Sequence, residues 1–248
     1  PADRKNIVAF SIPRDDLVDV DGLDVSQAKI KEAYGRKKAM VEDELTAQGI
    51  TDQATLESRG REAGRAETIE TVRQLTGVPI DRFAEVSLVG FYDLAQTLGG
   101  VEVCLNNPVD EPLSGAKFPA GYQTLNGPDA LSFVRQRHGL PRGDLDRITR
   151  QQAFMASLTQ KILSAHTLTD PSKLNELEDA VSRSVVIDDD WNVVQFAEQL
   201  KDLSGGRVKF ATIPVLDEQG WSEDGQQSVV TVDPNAVHTF TSNLLNDG

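Results

Sequence analysis

The sequence contains one cysteine, two tryptophans and three histidines among its 248 residues, and each scarcity excludes a class of protein. A single cysteine, Cys104, excludes a disulfide-stapled domain and a zinc site built from paired thiolates. His138, His166 and His238 are too widely separated for a histidine metal motif. No segment approaches the ~18 consecutive apolar residues of a membrane span, and no charged head followed by an apolar core marks a signal peptide.

Basic charge and the common catalytic motifs are also lacking. The 25 basic and 39 acidic side chains give a net charge of −14, which excludes a general nucleic-acid binder because phosphate backbones require a broad basic surface. The sequence has no glycine-rich dinucleotide fingerprint, no Walker loop, no His-Glu-x-x-His and no Gly-x-Ser-x-Gly. Nicotinamide, nucleotide, zinc and serine-hydrolase chemistry therefore lose their usual support.

The alternation of strand and helix patterns predicts an α/β fold. A β-branched run over 6–12 is stopped by Pro13 and predicts a buried strand that delivers Arg14 and Asp15 at its carboxyl end. Because no linker or change of composition interrupts the pattern, we expect a single domain over residues 1–248. Its predicted architecture has three α/β/α layers, with a central mixed sheet flanked by helices.

Further elements follow from apolar periodicity and from turn residues. Helices are predicted over 24–36, 37–48, 65–76, 89–98, 144–165, 171–183, 193–203 and 234–245, with one more that opens at 126–129. Strands are predicted over 80–86, 101–105, 208–214 and 228–232. A mobile surface segment is expected over 49–66, and a loop or irregular hairpin over 109–124.

Arginine is concentrated in one place. Five of the 15 arginines lie within 16 residues: Arg135, Arg137, Arg142, Arg147 and Arg150. Guanidinium groups bind phosphate oxygens in pairs, so converging arginines suit a diphosphate, although a solvated helix face explains the same run. Asp144, Arg147 and Gln151 are spaced so that a carboxylate, a guanidinium group and an amide lie along the same face of a helix. Arg135 and Arg137 can converge only if their helix unwinds near Gly139.

Several blocks together carry a family resemblance. They are Phe-Ser-Ile-Pro-Arg-Asp at 10–15, Gln-Leu-Thr-Gly-Val-Pro-Ile-Asp at 74–81, Leu-Gly-Gly-Val-Glu-Val-Cys-Leu at 98–105, Leu-Asn-Gly-Pro-Asp-Ala-Leu-Ser-Phe-Val-Arg-Gln-Arg-His at 125–138 and Asp-Leu-Asp-Arg-Ile-Thr-Arg-Gln-Gln at 144–152. From residue 6 to about 165 the sequence resembles the catalytic domain of the LytR-CpsA-Psr family, in the style of actinobacterial members.

The resemblance implies an enzyme of cell-wall assembly. Such enzymes are Mg²⁺-dependent phosphotransferases that move a glycopolymer from a polyprenyl diphosphate carrier to a peptidoglycan hydroxyl and form a phosphodiester. They act at the membrane lipid surface, on the outer face of the cytoplasmic membrane, and bind no nucleic acid. Two alternatives remain open: a noncatalytic binder of prenyl-linked glycans that regulates wall assembly, and a hydrolase that uses water as acceptor.

The resemblance also implies roles for particular residues. The catalytic set is Arg14, Arg135, Arg137, Asp144 and Arg147, and the substrate-binding set is Asp15, Lys29 and Gln151. Asp15 and Asp144 could deprotonate the acceptor hydroxyl or orient the neighbouring arginines. An apolar tunnel for the lipid would be lined by Val72, Leu75, Ile80, Phe91, Leu94 and Leu98, although residues of this kind are more often ordinary core.

The sequence departs from the family pattern twice. Acidic blocks that contribute to Mg²⁺ binding in the family precede the Ser-Ile-Pro-Arg-Asp strand, and residues 1–9 do not match them. We therefore assign no metal ligand and expect the acidic blocks to lie upstream of Pro1 or to be absent. An adjoining strand and an N-terminal membrane anchor are likewise expected outside this chain. Secondly, Tyr122 stands where relatives often have a second cysteine, so Cys104 is expected to be a small buried residue.

Overall fold

The computed structural model describes residues 7–136, 138–140, 144–162, 171–188, 191–192 and 208–246. The strands are β1 (Ile7–Ser11), β2 (Asp16–Asp19), β3 (Gln27–Lys29), β4 (Ala84–Val86), β5 (Val101–Leu105), β6 (Val109–Glu111), β7 (Ala116–Phe118), β8 (Gly121–Leu125), β9 (Val185–Ile187), β10 (Val208–Thr212), β11 (Asp217–Trp221) and β12 (Ser228–Thr231). The helices are α1 (Glu32–Ala47), α2 (Gln53–Thr76), α3 (Leu88–Thr97), α4 (Gly127–Arg135), α5 (Asp144–Ile162), α6 (Pro171–Ser184) and α7 (Pro234–Asn246).

This mixture of helices and strands confirms the α/β class. The largest sheet within the described ranges has four strands in the order β11-β12-β2-β3. It is mixed, as expected, because β12 runs parallel to β2 while the other two pairs are antiparallel. The remaining strands are paired as β1-β10, β4-β9, β5-β8 and β6-β7.

The chain divides into two compact units, each assembled from segments distant in sequence. The first unit contains Pro1–Ser11, Asp81–Ala211 and Gly248, and the second contains Ile12–Ile80 and Thr212–Asp247. The single domain expected over residues 1–248 stays a prediction.

Aromatic side chains form the core of the first unit. Phe154 of α5 is fully buried, and its ring centroid lies 5.1 Å from that of Phe91 and 6.4 Å from that of Phe133. Burial alternates along β5, which directs Val101, Val103 and Leu105 inward. This two-residue period is expected of a strand with one buried face, because successive side chains point to opposite sides.

In the second unit, α1 packs against α2 through glycine. Gly60 and Gly64 are buried on α2, and a Cβ added to Gly64 would lie 2.6 Å from the carbonyl oxygen of Tyr34 on α1. The expectation of a mobile segment over 49–66 was therefore wrong. These glycines allow two helix backbones to approach closely, whereas the sequence pattern alone indicated a break.

The start of α1 also differs from expectation. Residues 24–36 were predicted as one helix, but β3 occupies Gln27–Lys29 and α1 begins at Glu32. Lys29 lies opposite Leu17 in the antiparallel pair formed by β2 and β3. Sheet pairing therefore overrides the weak helical preference of this segment. The helix expected over 193–203 lies outside the described residues.

Three strands, β2, β9 and β11, were not predicted, and the strand expected over 80–86 begins only at Ala84. Several other boundaries agree with the sequence. Ser87 caps α3, since its hydroxyl oxygen accepts a hydrogen bond from the Gly90 backbone N–H at 3.0 Å. Gly77 ends α2 in the left-handed conformation, with φ of 68°. The irregular hairpin expected over 109–124 contains the paired strands β6 and β7 and the start of β8.

Candidate functional site

Three cationic side chains surround Asp15 at the turn between β1 and β2. Arg14 Nε lies 3.9 Å from one carboxylate oxygen, Lys29 Nζ lies 4.0 Å from the other, and Lys31 donates a short hydrogen bond to that second oxygen. These four side chains carry three positive charges and one negative charge, so together they have a net charge of +2. In a chain with a net charge of −14, this turn is a local concentration of positive charge that could attract an anion.

Two backbone hydrogen bonds hold the turn against the segment that contains both lysines. The Lys31 amide donates to the Arg14 carbonyl oxygen at 3.2 Å, and the Ile30 amide donates to that of Asp16 at 2.9 Å. The cations are consequently carried by two segments of fixed relative position. We call Arg14, Asp15, Lys29 and Lys31 the cation cluster.

Asp15 is ionised within this cluster. Partial burial alone raises the pKa of the Asp15 carboxyl, but the hydrogen bond from Lys31 and the charges of Lys31, Arg14 and Lys29 outweigh it, so the pKa lies below its ordinary value. A carboxylate held in this state is a weak base at neutral pH.

Lys31 is a member of the cluster that sequence reasoning missed. It is adjacent to Ile30, only two positions after the predicted Lys29, and the expected helix over 24–36 pointed the two lysines in different directions. On the observed backbone, β3 ends at Lys29 and Lys31 precedes α1, which brings both side chains to Asp15. Assigning residues 27–29 to a strand would have identified Lys31 as a member of the cluster.

Lys29 also lines a cavity of about 400 Å³ in the second unit. The wall includes Glu32 and Arg36, which form an ion pair at 3.1 Å, and Asp224. Acidic and basic groups are mixed here, so the cavity itself has no strong preference for an anion.

The first arginine pair lies at the end of α4. Arg135 is the last residue of that helix and is exposed, and Gln136 leaves the helical conformation with ψ of 133°. The helix therefore ends before Gly139, which is the condition for Arg135 and Arg137 to converge. Arg137 and Arg142 lie outside the described residues.

On α5, the predicted stripe is the buried face of the helix. Arg147 is only 7% exposed, and positions 151, 154 and 158 continue the same stripe, with Phe154 fully buried and Leu158 packed against the core. Met155 lies outside this face and is 46% exposed. Gln151 Nε2 donates to the Val134 carbonyl oxygen at 3.1 Å, which ties α5 to α4. The side chain of Asp144 is not among those that the structure describes.

Arg150 has a different environment from the other arginines. One of its terminal nitrogens donates to Gln136 Oε1 at 2.6 Å, and its guanidinium lies 5.1 Å from the ring centroid of Phe133. Burial lowers the pKa of Arg150, and the charge of Asp146 acts in the opposite direction. Gln136 is 2% exposed, and its side-chain amide also donates a hydrogen bond to the His138 carbonyl oxygen at 3.0 Å.

The predicted tunnel residues fall into both units. Val72, Leu75 and Ile80 belong to the second unit, whereas Phe91, Leu94 and Leu98 belong to the first. Leu75 is buried and lines a cavity of about 290 Å³, Ile80 is exposed, and Phe91 packs against the aromatic core. Their role as a lipid tunnel stays a prediction.

The structure thus brings together part of the predicted site. Arg14, Asp15 and Lys29 meet in the second unit, while Arg135, Arg147 and Gln151 lie on two connected helices of the first. That all of them bind one diphosphate stays a prediction.

Cys104 differs from expectation, because it is exposed. It occupies an outward position of β5, where burial alternates, and its partner across the strand pair is Tyr122 of β8. The position opposite Cys104 is therefore the one at which relatives were expected to carry a second cysteine.

The described side chains form no metal site by themselves. Within the described ranges, no three side chains among His, Cys, Asp and Glu are grouped closely enough to hold a metal ion. Asp15 belongs to the cation cluster, and its surrounding cations would repel Mg²⁺. None of the helices described by the structure combines the length and the apolar character of a membrane span.

Comparison with known proteins identifies the family of this chain. The LytR_cpsA_psr family model matches residues 1–244, so the chain is a member of the LytR-CpsA-Psr family. The family predicted from the sequence blocks is confirmed.

The relatives include proteins of cell-wall synthesis. The chain is 54% identical over 247 residues to the cell wall biosynthesis protein LcpA of Corynebacterium glutamicum, which covers 100% of this chain and 47% of that protein. It is 31% identical over 131 residues to the polyisoprenyl-teichoic acid–peptidoglycan teichoic acid transferase TagU of Bacillus subtilis, covering 52% of this chain and 42% of that protein. The chain thus spans less than half the length of these relatives.

Solved structures share the fold. The structure of TagT bound to LIIa-WTA superposes with a TM-score of 0.70 at 19% identity, covering 99% of this chain and 80% of that one. At this identity the likeness shows the fold alone.

Proposed function

We propose that this chain is the catalytic part of a phosphotransferase that moves a glycopolymer from a polyprenyl diphosphate carrier to a peptidoglycan hydroxyl. The observation that carries the proposal is the cation cluster, in which Arg14, Lys29 and Lys31 surround one ionised carboxylate. Family membership and the teichoic acid transferase activity named for TagU support the same substrates.

The reaction needs charge stabilisation more than covalent chemistry. The acceptor hydroxyl oxygen attacks the phosphorus that carries the glycan, and the bond from that phosphorus to the prenyl phosphate oxygen breaks. A phosphodiester forms, prenyl phosphate leaves, and the hydroxyl proton passes to a base. Cationic groups that hold the phosphoryl oxygens lower the barrier because negative charge accumulates on these oxygens and on the leaving group.

In this proposal, Asp15 orients the cations and does not act as the base. Its lowered pKa makes it a poor proton acceptor, whereas its contacts fix Lys31 beside Arg14 and Lys29. Arg135, Arg137 and Arg147 would add bidentate contacts to the diphosphate, and Asp144 and Gln151 would position them.

Magnesium assistance belongs to the proposal only through the family resemblance. Mg²⁺ is usually bound by one or two carboxylates together with substrate phosphates, so it would supply further charge neutralisation at the diphosphate. Within the described ranges no group of three or more possible ligands forms a metal site, and we derive no step that depends on Mg²⁺.

Because the donor is a lipid, the protein would act at a membrane. In this proposal it acts on the outer face, and its anchor belongs to sequence that is not part of this chain. The exposed apolar residues Val86, Leu88 and Val89, at the end of β4 and the start of α3, support this location. Exposed apolar side chains suit contact with lipid.

The test uses the protein that contains this chain and a polyprenyl-diphosphate-linked oligosaccharide as donor. We expect glycan attached to peptidoglycan and free prenyl phosphate in equal amounts, both abolished in Arg14→Ala and Arg135→Ala. Arg59→Ala is the control, because Arg59 is an exposed partner of Glu62 on α2. Prenyl phosphate released without peptidoglycan would favour a hydrolase, and donor binding without turnover would favour a noncatalytic binder.

A further inference from the structure

The cavity of about 400 Å³ in the second unit adjoins the cation cluster. The two share Lys29, which lines the cavity and whose Nζ lies 4.0 Å from the Asp15 carboxylate. The wall is formed by β2, by β3 with the loop before it, by the start of α1 and by the hairpin that joins β11 to β12. Its volume lies in the range of ligand pockets.

The floor of this cavity is one face of the four-stranded sheet. Lys29 lies opposite Leu17 in the pairing of β3 with β2, and Leu17 lies opposite Thr231 in the pairing of β2 with β12. Val229 precedes Thr231 by two residues, so both point to the same side of the sheet. Since Leu17 and Val229 line the cavity, its floor is apolar and has Lys29 on the same face.

Opposite charges face the cavity from two parts of its wall. The first part, formed by β3 and α1, carries Lys29 and the ion pair of Glu32 with Arg36, in which two guanidinium nitrogens lie 3.1 Å from one carboxylate oxygen. The second part, the β11–β12 hairpin, carries the carboxylates of Glu223 and Asp224. Because Glu32 and Arg36 neutralise each other, the first part presents a positive charge and the hairpin presents negative charge.

Hydrogen bonds fix the Asp224 carboxylate in the hairpin. Its Oδ1 accepts from the Ser222 hydroxyl at 2.5 Å and from the Gln226 backbone N–H at 3.0 Å. The Ser222 amide donates to the Gln227 carbonyl oxygen at 2.8 Å, which closes the hairpin loop. The hydrogen bond from Ser222 lowers the pKa of Asp224, so this carboxylate is ionised at neutral pH. A group that is ordered before binding loses less conformational entropy when a ligand enters.

We propose that this cavity binds the zwitterionic end of a peptide side chain, in which one carbon atom carries both an ammonium group and a carboxylate. The ammonium group donates to Glu223 and Asp224, and the carboxylate pairs with Lys29. The aliphatic stem that carries both groups lies on Leu17 and Val229. A purely anionic ligand would give the hairpin carboxylates no cation, and a purely apolar ligand would desolvate every charge without a partner.

The inference rests on the proposed function, in which peptidoglycan is the acceptor. Peptidoglycan carries short stem peptides as well as glycan, and a stem peptide that contains diaminopimelate presents such a zwitterionic end. Because Lys29 belongs both to the cation cluster and to the cavity, a bound stem peptide holds the acceptor strand beside the cluster that we propose for the diphosphate.

The binding experiment uses the protein that contains this chain and a synthetic stem peptide with diaminopimelate, measured by titration calorimetry. Two comparison peptides remove one charge each. Acetylation of the free amine removes the ammonium group, and lysine in place of diaminopimelate removes the carboxylate at the end of the side chain. We expect each to bind about tenfold more weakly, because one charge-assisted contact is lost. Unchanged affinity for either comparison peptide would overturn the zwitterion site.

Variants of the hairpin locate the site. Glu223→Gln and Asp224→Asn should each weaken binding of the diaminopimelate peptide about tenfold, since each removes a charge and keeps the shape of the side chain. In Asp224→Asn, the amide oxygen can still accept the hydrogen bond from Ser222. Glu218→Gln is the matched control, because Glu218 is exposed on β11 and is not part of the cavity wall. Equal losses in Glu223→Gln and Glu218→Gln would overturn the site.

Arg14→Ala separates this inference from the proposed function, because it should abolish transfer and leave peptide binding unchanged. Loss of peptide binding in Arg14→Ala would place the peptide in the cation cluster and overturn the hairpin site. Transfer by a protein that does not bind the peptide, with an unchanged KM for peptidoglycan in Glu223→Gln, would also overturn the site and leave the transferase standing. Peptide binding that Glu223→Gln weakens, in a protein without transfer activity, would support the site and remove the transferase.

Discussion

The side-chain amine of Lys31 binds the carboxylate of Asp15 across the turn that follows β1. The contact joins a predicted substrate-binding residue to one that the sequence did not single out. It also defines the charge of the site, because Asp15 neutralises only one of the three cations around it. Two predictions follow from this pair.

Replacing Lys31 tests whether it contributes to donor binding. Lys31→Ala should raise KM for the prenyl diphosphate donor about tenfold, since one charge-assisted contact of about 1.5 kcal/mol is lost. Lys31→Arg retains the charge and should restore most of the affinity. Steady-state kinetics of both variants provide the measurement, with Arg59→Ala as control. An unchanged KM in Lys31→Ala would remove Lys31 from the site.

The Asp15 pair should make folding stability depend on acid pH. Because the pKa of Asp15 is lower in the folded protein than the unfolded reference of about 3.9, its stabilisation is complete above that value and is lost as pH falls through the folded pKa. The difference in urea midpoint between wild type and Asp15→Asn should therefore be largest near neutral pH and shrink below about pH 4. A difference that stays constant with pH would contradict the ionised pair.

Close approach of α1 and α2 predicts opposite effects at two glycines. A methyl group at Gly64 would collide with the Tyr34 carbonyl oxygen, so Gly64→Ala should destabilise the protein by about 1–3 kcal/mol. Gly35 of α1 has no atom within 4 Å of an added Cβ, and Gly35→Ala should stabilise by about 0.5–1 kcal/mol. Urea denaturation distinguishes them, and equal effects would refute the glycine-mediated packing.

Arg150 should contribute to stability through its buried partner. In Arg150→Ala, the Gln136 amide oxygen loses its donor in a position that is 2% exposed, and we expect a loss of about 1–3 kcal/mol. The control is Arg59→Ala, whose exposed pair with Glu62 should contribute less than about 1 kcal/mol. Thermal or urea unfolding gives both values, and a similar small loss in both would show that the Gln136 contact is dispensable.

The pairing of Cys104 with Tyr122 predicts that a cysteine at position 122 would form a disulfide with Cys104. Residues directly opposite in an antiparallel pair have Cα atoms about 4.5–5.5 Å apart, within the range that a disulfide spans. Tyr122→Cys should therefore form a disulfide on oxidation and stabilise the protein by about 3 kcal/mol. A reducing agent should reverse the gain, and the absence of any difference between oxidised and reduced protein would exclude the expected register.

The sequence alone determined the fold class, the family and most element boundaries. These depend on local signals: the cap at Ser87, the left-handed Gly77, the two-residue alternation of β5, and the ordered blocks around Arg14 and Arg135. Such signals act over a few residues, so they can be found without knowing which segments meet.

Only the tertiary structure decided which side chains meet. The glycine-containing segment before Arg65 is helical, because Gly60 and Gly64 allow α2 to pack closely against α1. The tertiary structure also turned the Arg147 stripe inward and brought Lys31 to Asp15 through the pairing of β2 with β3. Each of these outcomes depends on contacts between segments distant in sequence. The residue pattern of one segment does not show which other segment packs against it.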